Sequence, residues 1–367
     1  MKYIFALIVL FSIGFFQTCC QKEVIHKKDI TKANLSKVSW DSIDGFYDDD
    51  LDLALDVFKK DCKKSQRYKN LKQVCQKAFF SNNSKDFFTN NFTPYQLLDD
   101  KYSEYGLITG YYEPLLYGSL TKTTKYKYPI FQTPSNLLTI NLGDAYPYLK
   151  GKTLRGKLVG NKVVPYTKRA DLESIEKKHL QPICYVDNKI DLFFLQIQGS
   201  GKVKLENGKI LNIGYSQQNG RKYYPIGRKL IELGYIKREN ISLQSIKEWL
   251  ENHPKRIDEF LNLNDSYVFF HLSQKSATGS LGIELVERRN LAVDRKYIPL
   301  GYPVFINTTN PIDNKPINTL MVAADTGGAI KGEIRADLFF GNSNEAKELA
   351  GKMKQKGKLF LFIPNNI

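Results

Sequence analysis

The stretch from Leu320 to Gly341, LMVAADTGGAIKGEIRADLFFG, does most to limit what this chain can fold into. It opens on an apolar run, Leu320 to Ala324, which suits a strand buried on both faces. Asp325 closes the run, and Gly327 and Gly328 allow a sharp bend or a close approach of backbone to ligand. Lys331 and Gly332 then precede a second acid, Asp337, set just before Leu338-Phe339-Phe340. Two carboxylates and a cation between two buried strands are the material of an acid site. Asp-Thr-Gly-Gly is equally good turn chemistry, because Asp bonds its own backbone and Gly takes positive φ. Spacing alone leaves open which carboxylate, if either, is catalytic.

The rest of the chain supplies short strands and few helices. An amphipathic helix begins at Asp50, with Leu51, Leu55 and Phe58 on one face, and a second carries Leu71, Val74, Cys75, Ala78 and Phe79. Cys62 and Cys75 fall near facing ends of these helices. In an exported chain they are expected to pair, with Cys184 left free; two buried thiols are the alternative. Strands are expected over Leu107 to Glu113, stopped by Pro114, and over Leu192 to Gln198, which runs into Gly199-Ser200-Gly201. Asn207-Gly208 predicts a hairpin with a type I′ turn. Helical pattern returns at Gly227–Gly234, at Ser242–Asn252 with Asn240 or Ser242 as cap, and at Glu345–Gln355. Further short strands at Tyr267–His271, Val304–Asn307, Leu320–Ala324 and Leu359–Pro364 point to a mainly β fold with α additions.

The N-terminus reads as an export signal. Lys2 precedes an apolar run from Tyr3 to Phe16, too short to span a bilayer, which ends at Cys19-Cys20. Lipidation at Cys19 or Cys20 would then anchor the chain to a membrane, and the lysine-rich residues 21–39 read as a tether. The formal net charge of +16 points to an anionic partner. No basic helix with interleaved aromatics stands out, so no nucleic-acid partner is expected.

Four isolated histidines (His26, His179, His253, His271) and the cysteine spacing match no metal-ligand pattern, so neither metal nor cofactor is expected. Ser200 lies between two glycines without the wider nucleophile-elbow spacing. What remains is acids, amides and aromatics, the groups that bind sugars. Tyr111, Tyr112 and Glu113 offer that mixture, as do Gln196, Gln198 and Ser200. On a strand Gln196 and Gln198 would share a face and line one groove; core packing is the competing use of the aromatics.

Several of these pieces together resemble the membrane-bound lytic murein transglycosylase A family of bacterial cell-wall enzymes. They are Gly110-Tyr111-Tyr112-Glu113-Pro114, Phe193 through Gly201, Gln218-Asn219-Gly220 and Ser266 through Phe270. Leu291-Ala292-Val293-Asp294, Ile298 through Gly301 and Asp325 through Gly332 with Arg335-Ala336-Asp337 complete the set, in the family's order across roughly residues 50–365.

The resemblance implies a double-psi β-barrel with a smaller β-rich domain inserted into it, and a groove for the glycan strand between the two. Residues 1–19 would be the signal peptide and 20–39 the tether. The barrel with N-terminal helices would occupy 40–109 and 265–367, and the insert 110–264. It also implies Asp337 as catalytic acid, with Asp294 and Asp325 as supports. Tyr111, Tyr112, Glu113, Gln196, Gln198, Ser200, Asp325, Gly327, Gly328 and Lys331 are the candidate substrate-binding residues. The implied reaction cleaves the β-1,4 bond between N-acetylmuramic acid and N-acetylglucosamine in peptidoglycan and closes a 1,6-anhydro ring. It needs one protonated Asp, raised by apolar neighbours such as Leu338 and Phe339, with Lys331 and Arg335 pointing elsewhere or at the glycan. The alternatives are a hydrolase with Glu113 or Asp325 as second carboxylate, and a non-catalytic wall-binding protein. The implied location is the periplasmic face of the outer membrane.

Overall fold

The computed structural model describes residues 24–25, 27 and 30–365. The expected signal peptide and both candidate lipidation cysteines lie outside the described residues. The chain opens with β1 (Val24–Ile25) and β2 (Asn34–Lys37) and then helices α1 (Leu51–Ser65), α2 (Lys69–Phe80) and α3 (Ser84–Asn91). β3 (Phe92–Leu98) and β4 (Gly106–Tyr111) follow. The middle of the chain holds β5 (Leu115–Ser119), β6 (Tyr128–Phe131), β7 (Leu138–Ile140), β8 (Leu154–Val159) and β9 (Lys162–Pro165). It continues through α4 (Leu172–Ile175), β10 (Pro182–Val186), α5 (Lys189–Gln198), β11 (Ser200–Leu205) and β12 (Ile210–Gln218). It ends with α6 (Ile226–Glu232), α7 (Leu243–Asn252), α8 (Ile257–Leu261) and β13 (Val268–Ser273). The last part is β14 (Asn290–Val293), β15 (Pro303–Thr309), β16 (Pro316–Asp325), β17 (Arg335–Phe339), α9 (Asn344–Lys352) and β18 (Lys354–Pro364). The fold is mainly β with helices added, as the sequence pattern predicts.

β18 closes the barrel. Its residues 354–357 pair with β4 and its residues 358–361 pair with β15. The circuit β18–β15–β16–β14–β17–β4 therefore returns on itself as a six-stranded barrel, and β3, β2 and β1 extend from the far half of β18. Closure leaves the six strands no open edge, which matters for strands this apolar. Leu320 to Ala324 of β16 and Leu359 to Ile363 of β18 are all buried, as continuous apolar runs demand. Close strand contact requires small residues at two points: a Cβ on Gly106 would meet Ile334 O at 1.8 Å, and one on Gly110 would meet the Phe340 ring at 2.4 Å.

The N-terminal helices cover the barrel. Asp50 caps α1 by accepting from Leu53 N at 2.9 Å, and Phe58, Phe88 and Phe92 form an edge-to-face cluster beneath it. Cys62 and Cys75 are joined in a disulfide between α1 and α2, and Cys184 is free and buried. A buried ion pair, Arg289 to Asp49 at 2.8 Å, ties the start of this region to β16, where Leu320 N also donates to Asp49 at 2.7 Å. The segment read as a tether is partly built into the body. β2 pairs with β3, and Leu35 and Ser36 are buried, because Leu35 has an apolar place in the barrel core.

The middle of the chain forms a six-stranded sheet, ordered β13-β12-β11-β5-β10-β6, and a three-stranded sheet of β7, β8 and β9. β13 belongs to this six-stranded sheet, so the chain returns to the barrel after Ser273 rather than at residue 264. Two local expectations fail here. Leu192 to Gln198 is helix, not strand: Asn188 caps α5 by accepting from Ile190 N and Asp191 N, and Gly199 ends it at φ 82°. A short run buried almost throughout has no amphipathic period to separate the two states, and the flanking caps decide. The turn at Asn207-Gly208 is not type I′, since only Gly208 has positive φ, at 83°. Gly208 N donates to Leu205 O and Leu205 N to Lys209 O, the pattern of a three-residue loop with a glycine bulge.

Candidate active site

Four strands of the barrel carry one row of side chains across its groove face. Ala292 of β14 stands opposite Asp325 of β16 on one side and opposite Asp337 of β17 on the other. Asp337 in turn stands opposite Thr109 of β4. The two acids are thus separated by the smallest side chain that keeps a strand conformation, and nothing bulky divides them.

Their surroundings differ. Asp325 is held by four donors: its Oδ1 accepts from Ser280 N, Ser280 Oγ and Thr326 N, each at 2.8 Å, and its Oδ2 from Tyr111 OH at 3.1 Å. Asp337 accepts one side-chain hydrogen bond, from Thr109 Oγ1 at 2.5 Å. Thr109 Oγ1 itself accepts from Arg335 Nη2 at 2.8 Å, so its proton is directed at Asp337. One carboxylate is locked by four donors; the other keeps an oxygen open to the groove.

Burial pushes the Asp337 carboxyl above the ordinary carboxylate range. The Thr109 hydrogen bond and the Arg335 charge pull it down, and the Asp325 charge pushes it up again. Burial also raises Asp325, against the pull of its four hydrogen bonds. Asp337 retains partial contact with the groove, but protein surrounds it at the groove floor and sets its desolvation. The Tyr111 hydroxyl, raised well above its usual range by burial and then by both acids, stays a donor.

The groove encloses about 1290 Å³ and is walled on one side by the barrel row and on the other by α5, β12 and β13. Gln196, Gln198, Ser200, Tyr215 and Tyr223 face it from the insert side. Among the described residues no three His, Cys, Asp or Glu are grouped to hold a metal ion, and no helix is long and apolar enough to cross a membrane.

Residues 107–271 match the model of the MltA specific insert domain, and residues 289–363 match that of the 3D domain. The crystal structure of MltA from Neisseria gonorrhoeae superposes with a TM-score of 0.81 at 31% identity, covering 94% of this chain and 96% of that one. The chain belongs to the MltA family. A membrane-bound lytic murein transglycosylase A homolog from Buchnera aphidicola is 32% identical over 252 residues, 66% of this chain and 62% of the relative. Membrane-bound lytic murein transglycosylase A from Escherichia coli K12 is 31% identical over 261 residues, 69% of this chain and 64% of that protein. The match thus spans less than two thirds of the length of either curated relative.

Among the residues singled out from sequence, Tyr111, Gln196, Gln198, Ser200, Asp325, Gly327, Gly328, Lys331 and Asp337 line the groove. Tyr112 and Glu113 do not. Alternation along β4 carries Thr109 and Tyr111 to the groove face and turns Tyr112 away, where it is buried and its N–H donates to Gln198 Oε1 at 3.2 Å. Glu113 is 2% exposed and accepts from Ser276 Oγ at 2.6 Å, with Lys202 Nζ at 3.3 Å. It ties the barrel's exit to β11. Gln196 and Gln198 stand about 200° apart on a helix rather than on one strand face. Both reach the groove because α5 ends there. Gly327 and Gly328 bend without positive φ, and a Cβ on Gly328 would meet only open space.

The apolar neighbours named for Asp337 divide. Leu338 points into the barrel core, and Phe339 packs on Tyr111 with ring centroids 5.2 Å apart. Arg335 does not point elsewhere: it donates to Thr109 and to Ala336 O, and its charge acts on Asp337. Asp294, at the row's end, accepts from Lys296 N and Gly332 N, each at 3.2 Å, and so supports the turn after Lys331. Thr109 and Ser280 are the residues sequence reasoning missed. The two-residue period from Tyr111 points to Thr109; nothing local marks Ser280.

Proposed function

We propose that this chain is a lytic transglycosylase that cleaves the β-1,4 bond between N-acetylmuramic acid and N-acetylglucosamine in peptidoglycan, with Asp337 as its single acid–base catalyst. The observation that carries this reading is the contrast within the row: one carboxyl raised in pKa with an oxygen open to the groove, and one fixed by four donors. Protonated Asp337 donates to the glycosidic oxygen as the bond to C1 breaks and positive charge grows on the ring. The Asp337 carboxylate then takes the proton of the muramyl C6 hydroxyl. The freed oxygen attacks C1 and closes the 1,6-anhydro ring, which returns the catalyst to its acid form without water. Asp325, held across Ala292, favours the protonated form of Asp337 and the developing cation. Thr109 fixes the orientation of the catalyst.

A hydrolase would need a second carboxylate free to activate water. Asp325 is held in place by four donors, three on Oδ1 and Tyr111 OH on Oδ2, and Glu113 lies outside the groove bonded to Ser276 and Lys202. Neither suits the task. The same reading divides the chain into a barrel body with its N-terminal helices and the inserted β-rich part, and makes the glycan strand the partner held between them. Export, lipidation at Cys19 or Cys20 and residence at the periplasmic face of the outer membrane complete it, in keeping with relatives named membrane-bound.

The test is product analysis. Purified protein on intact sacculi should release 1,6-anhydromuramyl products, identified by mass spectrometry. Asp337→Asn should stay folded and lose at least about 10²-fold in turnover. Reducing-end muropeptides as the main product would replace this reading with a hydrolase, and a fully active Asn variant would move the chemistry elsewhere.

A further inference from the structure

The groove's charge is not balanced. Fourteen ion pairs are formed elsewhere on the described chain. None of them involves a cation that lines the groove. Lys275, Arg295 and Lys331 on the barrel side are exposed, and among the described residues their side chains have no ion-pair or hydrogen-bond partner. Arg169 on the insert side donates only to the carbonyls of Asn264 and Ser266, at 2.9 and 2.6 Å, and stacks against Phe193 and Tyr267. It too has no acid partner.

The groove's three acids do not offset these cations. Asp325 is turned to Ser280, Thr326 and Tyr111, Asp337 is the proposed acid with a raised pKa, and Asp294 is turned to backbone N–H groups. A groove built only for neutral N-acetylhexosamine rings has no use for four unmatched cations. Arg169 is especially telling, because partial burial of a guanidinium without a counter-ion is costly.

We propose that these cations recognise carboxylates borne on the muramyl units of the bound strand. This rests on the transglycosylase reading for the identity of the strand. Muramic acid differs from glucosamine by a lactyl ether at C3. That group ends either in a free carboxylate or in an amide-linked peptide with carboxylates of its own. Both sources present anions along one edge of the sugar chain, where an exposed cationic rim meets them. Lys275 and Arg295 supply attraction from the rim, and Arg169 a fixed point on the opposite wall.

Binding is measured by calorimetry in the full Asp337→Asn chain, so that no strand is consumed. Three six-sugar ligands are compared: a neutral chitooligosaccharide, a peptide-free glycan with free lactyl carboxylates, and a peptide-bearing glycan. At least one carboxylate-bearing ligand should bind about tenfold more tightly than the neutral one at low salt, as two or three exposed ion pairs allow. That advantage should shrink in 0.5 M salt. Which of the two carries it identifies the lactyl or the peptide carboxylate. Lys275→Gln with Arg295→Gln should reduce the advantage at least fivefold. These side chains are exposed and unpaired, so the fold is not at stake. Equal binding of all three ligands, or an advantage the double variant keeps, overturns the proposal. Anhydro products from the wild-type chain are scored separately, so a carboxylate preference without them would reject the transglycosylase reading and leave this one standing.

Discussion

Asp61 offers a quantitative check on how α1 is seated against the barrel. The residue is fully buried, and its Oδ2 accepts from Asn290 Nδ2 at 2.9 Å while its Oδ1 has no hydrogen-bond partner. Burial holds its carboxyl at about 8, against the lowering pull of Asn290 and Lys60, where an ordinary Asp sits at 3.8. Between those two values the folded chain keeps a proton that the unfolded chain has released. The stability that Asp61 contributes is therefore fullest below pH 3.8, falls as pH rises towards about 8, and is lost above. The gap corresponds to at most about 6 kcal/mol, and relaxation around the charged form reduces that to about 2 or more. Asp61→Asn keeps the shape and removes the titration. Its unpartnered amide costs the same at every pH, so the difference between the two chains isolates Asp61. Urea denaturation at pH 5 and pH 9 should show the wild-type chain losing at least about 2 kcal/mol more than the variant. Parallel profiles would mean that the Asp61 carboxyl is not held in its proton-bearing form, and the account of this contact would be wrong.

Thr109→Val removes the hydroxyl between Arg335 and Asp337, so turnover on sacculi should fall about 10- to 100-fold through misorientation of the acid. The alkaline limb of its pH profile should move up, because the Asp337 carboxylate loses a donor. Asp325→Asn removes a neighbouring negative charge and should move the same limb down; a common direction in both variants would refute the assigned electrostatics. Cys62→Ser with Cys75→Ser should lower the unfolding free energy by about 3 kcal/mol, as expected for a loop of this length. Mass mapping of unreduced protein that found both thiols free would remove that basis.

Much of this was legible in the residues. Asp325 and Asp337 at strand positions, the apolar strands around them and the paired cysteines all follow from local pattern, which closed barrels and helix pairs preserve. What escaped was set by partners far along the chain. Thr109 and Arg335 acquire their roles only through register between β4 and β17, 226 residues apart. Glu113 reads as a sugar ligand until Ser276, 163 residues on, takes its carboxylate. α5 fails for a different reason. Its residues face the six-stranded sheet on one side and the α6–α8 layer on the other, so burial on both sides erases the polar stripe that would have marked a helix.

The barrel's closure by β18 has a bearing on when the row of groove side chains can form in a growing chain. Thr109, Ala292, Asp325 and Asp337 come from four strands, and the circuit that holds them is sealed only when β18 pairs with both β4 and β15. The sheets between β5 and β13 are built from contiguous chain and can assemble as soon as they emerge. β4 must wait for partners across that whole interval, and loop closure over such a span comes late and at an entropic cost. A growing chain therefore can build the sheets of the middle segment before the row across Ala292 exists. The order of assembly thus completes the row of Thr109, Ala292, Asp325 and Asp337 last, when β18 seals the circuit.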